Sequence, residues 1–301
     1  MKKILLTGPN GFIGRHAIDF LLSRGFEVHA VDINLPDIKS ENISWHKADL
    51  LDINQMDNLV ASIKPTYLLH YAWYAVPKEY WTSPENIRWV QASLELLRVF
   101  TKYGGKRVVM AGTCAEYDWN YGYCSEEITP LKPATLYGTC KHSLQMMLQA
   151  YAKQTGVSAA WGRIFFLYGP HEHPSRLISS VILSLLRKED AFCSHGKQIR
   201  DFLYVEDVAD AFVALLESDV QGPVNIASGK PVSLEDAIRI IAKELNGDEL
   251  IKFGALKAYN EPPLIVGDVG CLVNTVGWSP VFSLKDGLLK SIEWWKMQLG
   301  K

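Results

Sequence analysis

Short apolar runs alternate with amphipathic stretches through the first half of the chain. "KILLTG", "FEVHAVD", "ISWHKAD", "TYLLHYA" and "KRVVMAG" read as strands. Between them, "GRHAIDFLLSRG", "INQMDNLVASIK" and "NIRWVQASLELLRVFTKYGG" read as helices. In the last of these, Val90, Leu94, Leu97 and Phe100 recur at three- and four-residue intervals, and a glycine pair stops the run. Strand–helix alternation of this kind implies right-handed crossovers and a parallel sheet covered on both faces. A helix over 135–154, a strand at "SAAWGRIFF", a helix from "YVEDVADAFVALLES" and a strand at "PVNIAS" follow. From 230 onward the pattern is helix-rich and less regular. The expected fold class is α/β, a doubly wound parallel sheet over 1–168 and 202–228, with a smaller mixed domain over 169–201 and 229–301.

The loop after the first strand, "LLTGPNGFIG", spaces Gly8, Gly11 and Gly14 three apart and opens the first helix. Glycine is needed where a backbone turns tightly and approaches a pyrophosphate. The helix N-terminus then offers unpaired N–H groups and partial positive charge. The next strand ends in Asp32, eighteen positions past Gly14, where a carboxylate can accept hydrogen bonds from both adenosine ribose hydroxyls. These features predict dinucleotide binding. Asp32 repels a ribose 2′-phosphate, so the expected cofactor is NAD(P)(H) with a lean to NAD(H). Arg15 could meet such a phosphate by swinging outward, which leaves NADP(H) open. Asp49 and Leu50 follow the third strand, where they can reach the adenine edge.

At "ATLYGTCK" Tyr137 precedes Lys141 by four residues, placing both on one helical face. Ionising a free tyrosine at pH 7 costs about 4 kcal/mol, and a cation about 4 Å away at an effective dielectric near 20 contributes roughly that much. The pair therefore predicts a phenol tuned for proton transfer. Thr113, at the C-terminal end of a strand, can hydrogen-bond a carbonyl or alkoxide oxygen. "YAVPK" repeats the spacing at Tyr74 and Lys78, but Pro77 is poorly tolerated in a helix interior.

With "TGPNGFIG", Asp32, "LLHYA", "VVMAGTCAEY", "LYGTCK", "GRIFFLYGP", "IRDFLYVEDVADA" and "VNIASG", the chain resembles the extended short-chain dehydrogenase/reductase family in its sugar-nucleotide epimerase, dehydratase and ketoreductase branch. The resemblance implies a Rossmann-type fold and a catalytic set of Thr113, Tyr137 and Lys141. It also implies cofactor contacts from Phe12, Ile13 and Ala72 beside the glycines, with Lys141 on the nicotinamide ribose. Arg200 matches the arginine that grips a substrate diphosphate, and Arg176 lies in a substrate-side loop with His171 and His173. Family dehydratases carry an Asp-Glu pair just after the Ser/Thr. Here Cys114 and Ala115 stand there, and Glu116 is one place too far along. Where many 4-epimerases have Asn, this chain has Trp89 and Phe166. These departures favour NAD(P)H-dependent reduction of a nucleotide-linked 4-keto-6-deoxyhexose. The alternative is an NAD-dependent sugar-nucleotide 4-epimerase, and a non-catalytic dinucleotide-binding module ranks third. In related proteins helices such as those at 84–104 and 135–154 form a four-helix interface, so a homodimer is expected.

Composition narrows the partners. The chain has 301 residues, net charge −2 and pI near 6.5, which gives no electrostatic footprint for nucleic acid or anionic membrane. No run is apolar and long enough to span a bilayer. Five cysteines without a CxxC fit free thiols in a reducing cytoplasm. His171 and His173 have no third ligand spaced to make a metal site, and His70 reads as a core histidine. Nine tryptophans suggest an aromatic-walled pocket, with most of the rings in the core.

Overall fold

The structure, a computed structural model, describes residues 2–36, 42–257 and 262–300. Its main sheet contains β1 (Lys2–Thr7), β2 (Phe26–Asp32), β3 (Ile43–Lys47), β4 (Tyr67–His70), β5 (Arg107–Thr113), β7 (Ser158–Ile164) and β11 (Gly222–Ile226). They run parallel in the order β11-β7-β5-β4-β1-β2-β3. β1 shows why the sheet is central. Ile4, Leu5 and Leu6 have no exposure, and alternate residues belong to different cores. Ile4 and Leu6 pack with Ala17 and Leu21 of α1 (Gly14–Ser23) and with α6 (Val205–Glu217). Leu5 packs with α2 (Ile53–Ile63), α3 (Glu85–Lys102) and α4 (Leu136–Thr155) on the other face. Burying each such side chain contributes roughly 1.5–3 kcal/mol.

A second, mixed sheet holds β6 (Tyr123–Cys124), β8 (Phe166–Tyr168), β10 (Ile199–Tyr204), β12 (Pro231–Ser233) and β14 (Leu264–Gly267). β9 (Ala191–Phe192) pairs with β13 (Ile251–Lys252). A third core joins α5 (Leu177–Leu186), α7 (Leu234–Glu244) and α9 (Leu284–Gln298), and α8 (Gly270–Asn274) packs near β11. The run read as one strand, "SAAWGRIFF", divides. β7 stays in the main sheet, whereas β8 pairs with β10 in the other. Phe165 marks the change, its N–H donating to the carbonyl of Ile226 at 3.2 Å.

β5 and β7 are joined at their C-terminal ends by an ion pair with no exposure on either side. Arg163 Nε donates to Glu116 Oε2 at 2.8 Å, and Glu116 Oε1 accepts from the Thr113 N–H at 2.9 Å and Trp161 Nε1 at 2.8 Å. Arg163 Nη1 reaches the Tyr117 hydroxyl at 3.0 Å, which donates to Asn225 Oδ1 at 2.7 Å. Breaking a buried pair strands a charge away from water. Arg163→Met is therefore expected to lose about 3–5 kcal/mol in urea denaturation, and a loss below about 1 kcal/mol would contradict this account.

Candidate active site

A cleft of about 1750 Å³ opens at the C-terminal ends of the main-sheet strands and continues along the second sheet. Every site residue singled out from sequence lines it except Lys141. The glycine loop fits a dinucleotide by its geometry. Gly8 has φ +67°, and a Cβ there would stand 2.9 Å from the Ala72 nitrogen. A Cβ on Gly14 would stand 2.1 Å from the Gly8 carbonyl oxygen, so only hydrogen fits. Phe12, Ile13, Ala72, Asp49 and Leu50 border the same channel. Asp32 closes it at the end of β2, where its carboxylate accepts from Asn34 N–H at 3.1 Å.

Arg15 turns away from a 2′-phosphate role. Its Nε donates to the Gly11 carbonyl at 3.2 Å, Nη2 contacts the Asn10 carbonyl, and Nη1 meets His171 Nδ1 at 2.7 Å. Asp32 keeps its place on the cleft at the end of β2.

Thr135 caps α4, its hydroxyl accepting from Gly138 N–H at 3.1 Å, so Tyr137 enters the helix in its first turn. Its N–H also bonds the Trp81 carbonyl at 3.1 Å, and its ring packs edge-on against Tyr80 (4.9 Å) and Trp81 (5.7 Å). Thr113 ends β5, with its hydroxyl beside the Tyr137 phenol. The expected lowering of that phenol is not what the structure shows. Burial raises its pKa well above the ordinary value, Tyr80 adds to the rise, and the Thr113 hydrogen bond only partly offsets it. The rise comes from burial, and burial likewise lowers the Lys141 ammonium to about 7. Its Nζ donates to the Ala111 carbonyl at 2.8 Å and lies 3.7 Å from the centroid of a Trp73 ring, behind the cleft wall.

On the substrate side, Arg176 extends over the Tyr80 ring at 5.5 Å and Arg200 over the Phe166 ring at 5.2 Å. Arg200 Nη1 also donates to the carbonyls of Ile199 and Pro262, each at 2.9 Å. Asp201 takes the Ser228 and Gly229 N–H groups instead. Glu116 points into the interior, and Cys114, which does line the cleft, keeps its proton because burial raises the thiol. His70 is a core residue bonded to Thr7 Oγ1 at 2.7 Å and Ser93 Oγ at 2.9 Å. Tyr74 and Lys78 share no helix; Lys78 has φ +70° in a turn.

Sequence reasoning underrated the tryptophans. Trp73, Trp81, Trp89, Trp119, Trp294 and Trp295 line the cleft, so most of the nine belong to its walls. It also missed Glu172, a buried cleft carboxyl pushed up to about 7 by desolvation, which accepts from Ser179 Oγ at 2.8 Å. No spacing rule marks such a residue, because its environment comes from α5.

The glycine channel and the Thr113–Tyr137 pair lie in one cleft at the C-terminal ends of the main-sheet strands. Residues 4–227 match the NAD dependent epimerase/dehydratase family. UDP-glucuronic acid decarboxylase 1 of Xenopus tropicalis is 31% identical over 99% of this chain and 73% of its own length. Among solved structures, MoeE5 in complex with UDP-glucuronic acid and NAD is 29% identical, with TM-score 0.86 over 98% of this chain and 99% of that one. The UDP-N-acetylglucosamine 4-epimerase of Methanobrevibacter ruminantium M1, in complex with UDP-N-acetylmuramic acid, has TM-score 0.89 at 25% identity over 99% of each chain. The chain belongs to the NAD dependent epimerase/dehydratase family, as an enzyme of its sugar-nucleotide class. Among the described residues no helix is long and apolar enough to cross a membrane.

Between the ordinary glutamate value of 4.5 and about 7, folded Glu172 holds a proton that the unfolded chain releases. Its contribution to stability therefore falls as pH rises through that window. Glu172→Gln removes the slope, so its melting temperature relative to the parent should climb from pH 4.5 to 7. Parallel curves would disprove it.

Proposed function

We propose that the chain inverts C4 of a nucleotide-linked hexose, as an NAD-dependent sugar-nucleotide 4-epimerase. The observation that carries this reading is the Thr113–Tyr137 pair, set at the sheet's C-terminal edge with no acid pair beside it for dehydration. The glycine loop and Asp32 would hold NAD, whose nicotinamide would supply the acceptor and donor of a hydride at the sugar carbon. Tyr137 exchanges the proton of the C4 oxygen, and Thr113 holds that oxygen by hydrogen bonding. The segments 169–201 and 229–301 serve as the nucleotide-sugar domain, with Arg176 and Arg200 as the cations for a diphosphate. Among the relatives, the epimerase reading finds more support than the 4-ketoreductase that the sequence favoured.

The ketoreductase remains as a second reading for two reasons. Tyr137 keeps its proton in this structure, which suits a donor to a ketone, and Trp89 and Phe166 stiffen the walls around any rotating intermediate.

Purified protein, offered a panel of hexose and hexuronate nucleotides without reductant, should interconvert C4 epimers by NMR. Tyr137→Phe should lower kcat by about 10²–10⁴ while NAD affinity persists. NADH consumption with a 4-ketohexose nucleotide and no epimerisation would replace this reading by the second, and a pentose product would overturn both.

We also propose a homodimer through α3 and α4, whose outer surfaces expose Ile87, Met146 and Met147. Light scattering should give twice the 33.8 kDa chain mass, and a monomer would refute it.

A further inference from the structure

Lys141 sits where an ammonium has little to hold it. It is 4% exposed, and among the described residues its hydrogen-bond acceptor is the Ala111 carbonyl alone. An ammonium has three donors, and a buried one short of partners gives up its proton readily. Glu116 acts on it only from a distance, because that carboxylate is spent on Arg163, Trp161 and the Thr113 N–H. What faces the ammonium is the Trp73 indole at 3.7 Å, with Trp161 farther off at 5.9 Å. The negative face of an indole attracts a cation most strongly where water is absent.

The indole is itself pinned. Trp73 Nε1 donates to Asn86 Oδ1 at 2.8 Å. Asn86 has no exposure, and its amide nitrogen donates to the carbonyls of Tyr80 at 2.7 Å and Ser83 at 2.8 Å. Those two acceptors fix the amide's orientation and leave its oxygen for the indole. One asparagine thus anchors both the ring over Lys141 and the backbone of Tyr80, whose own ring packs on Tyr137. Trp73 lines the cleft and Lys141 does not; the indole is the layer between them.

We infer that Trp73, locked by Asn86, is a positioning residue for Lys141, its ring face holding the ammonium on the hidden side of the cleft wall. The consequence for turnover rests on the function proposed above, whereas the contact itself is testable without substrate. The charged or titratable groups around the lysine are Glu116 and Arg163, paired with each other; His70, lowered to about 3; and Tyr137, held protonated.

In the full chain carrying a single 5-fluorotryptophan at position 73, the ¹⁹F resonance should move with pH about a midpoint near 7, and the movement should vanish in Lys141→Met. Di- and trifluorination weaken the ring face at nearly constant shape, so the midpoint should fall by about one unit across the series. Trp73→Phe, which keeps a weaker aromatic face, should shift the pH–rate profile in the same direction. A resonance indifferent to pH, or one still titrating in Lys141→Met, overturns the inference. The predicted titration combined with no turnover of any hexose nucleotide would sink the proposed function and leave the lysine contact standing.

Discussion

The carboxylate of Glu116, with no exposure to water, sets the order at the heart of this protein. A buried charge must be matched or it destabilises the fold, and here the match is Arg163 on the neighbouring strand. Each further bond carries the constraint outward. Glu116 holds the Thr113 N–H, and so the end of β5. Arg163 holds Tyr117, Tyr117 holds Asn225 of β11, and the Asn225 amide reaches the carbonyls of Cys124 and Asp268 beside the second sheet. The strand end that carries Thr113 is therefore tied by polar bonds to the second sheet.

That arrangement turns an acidic residue so close to Thr113 away from the cleft. Glu116 faces inward because β5 ends in a tight turn over Cys114–Glu116, and the Thr113 hydroxyl accepts the Ala115 N–H at 3.2 Å within it. The cleft-facing place goes to Cys114, a thiol that stays protonated. Opposite, the segment from Trp73 to Trp89 contributes rings instead of charges. Burial there raises the cost of charging both Tyr137 and Lys141, and the Trp73 ring face offsets part of that cost for the ammonium.

Much of this was legible in the order of residues. The strands of the first half, the glycine loop, Asp32, and the Thr113–Tyr137 pair stand where periodicity and spacing put them, because all depend on local geometry or on an uninterrupted apolar run. The strand β10 and helix α5 were not read. "IRDFLY" mixes charge with apolar residues because Arg200 and Asp201 are buried among partners distant in sequence, and "LISSVILSLL" is apolar with too little period to separate helix from strand. β14 is a four-residue strand held by neighbours on both sides, and nothing within it signals that role.

The sequence by itself determined a doubly wound sheet, a glycine loop and an aspartate that line one cleft, and a tyrosine one helical turn from a lysine. Spacing along a helix or strand is a property of the backbone and survives any context. Tertiary structure decided the electrostatics. Burial raised the Tyr137 phenol and lowered the Lys141 ammonium, because the packing around them, including Tyr80 and Trp81 brought from another segment against Tyr137, excludes water. Solvation depends on what surrounds a group in space, and only the folded chain supplies those surroundings.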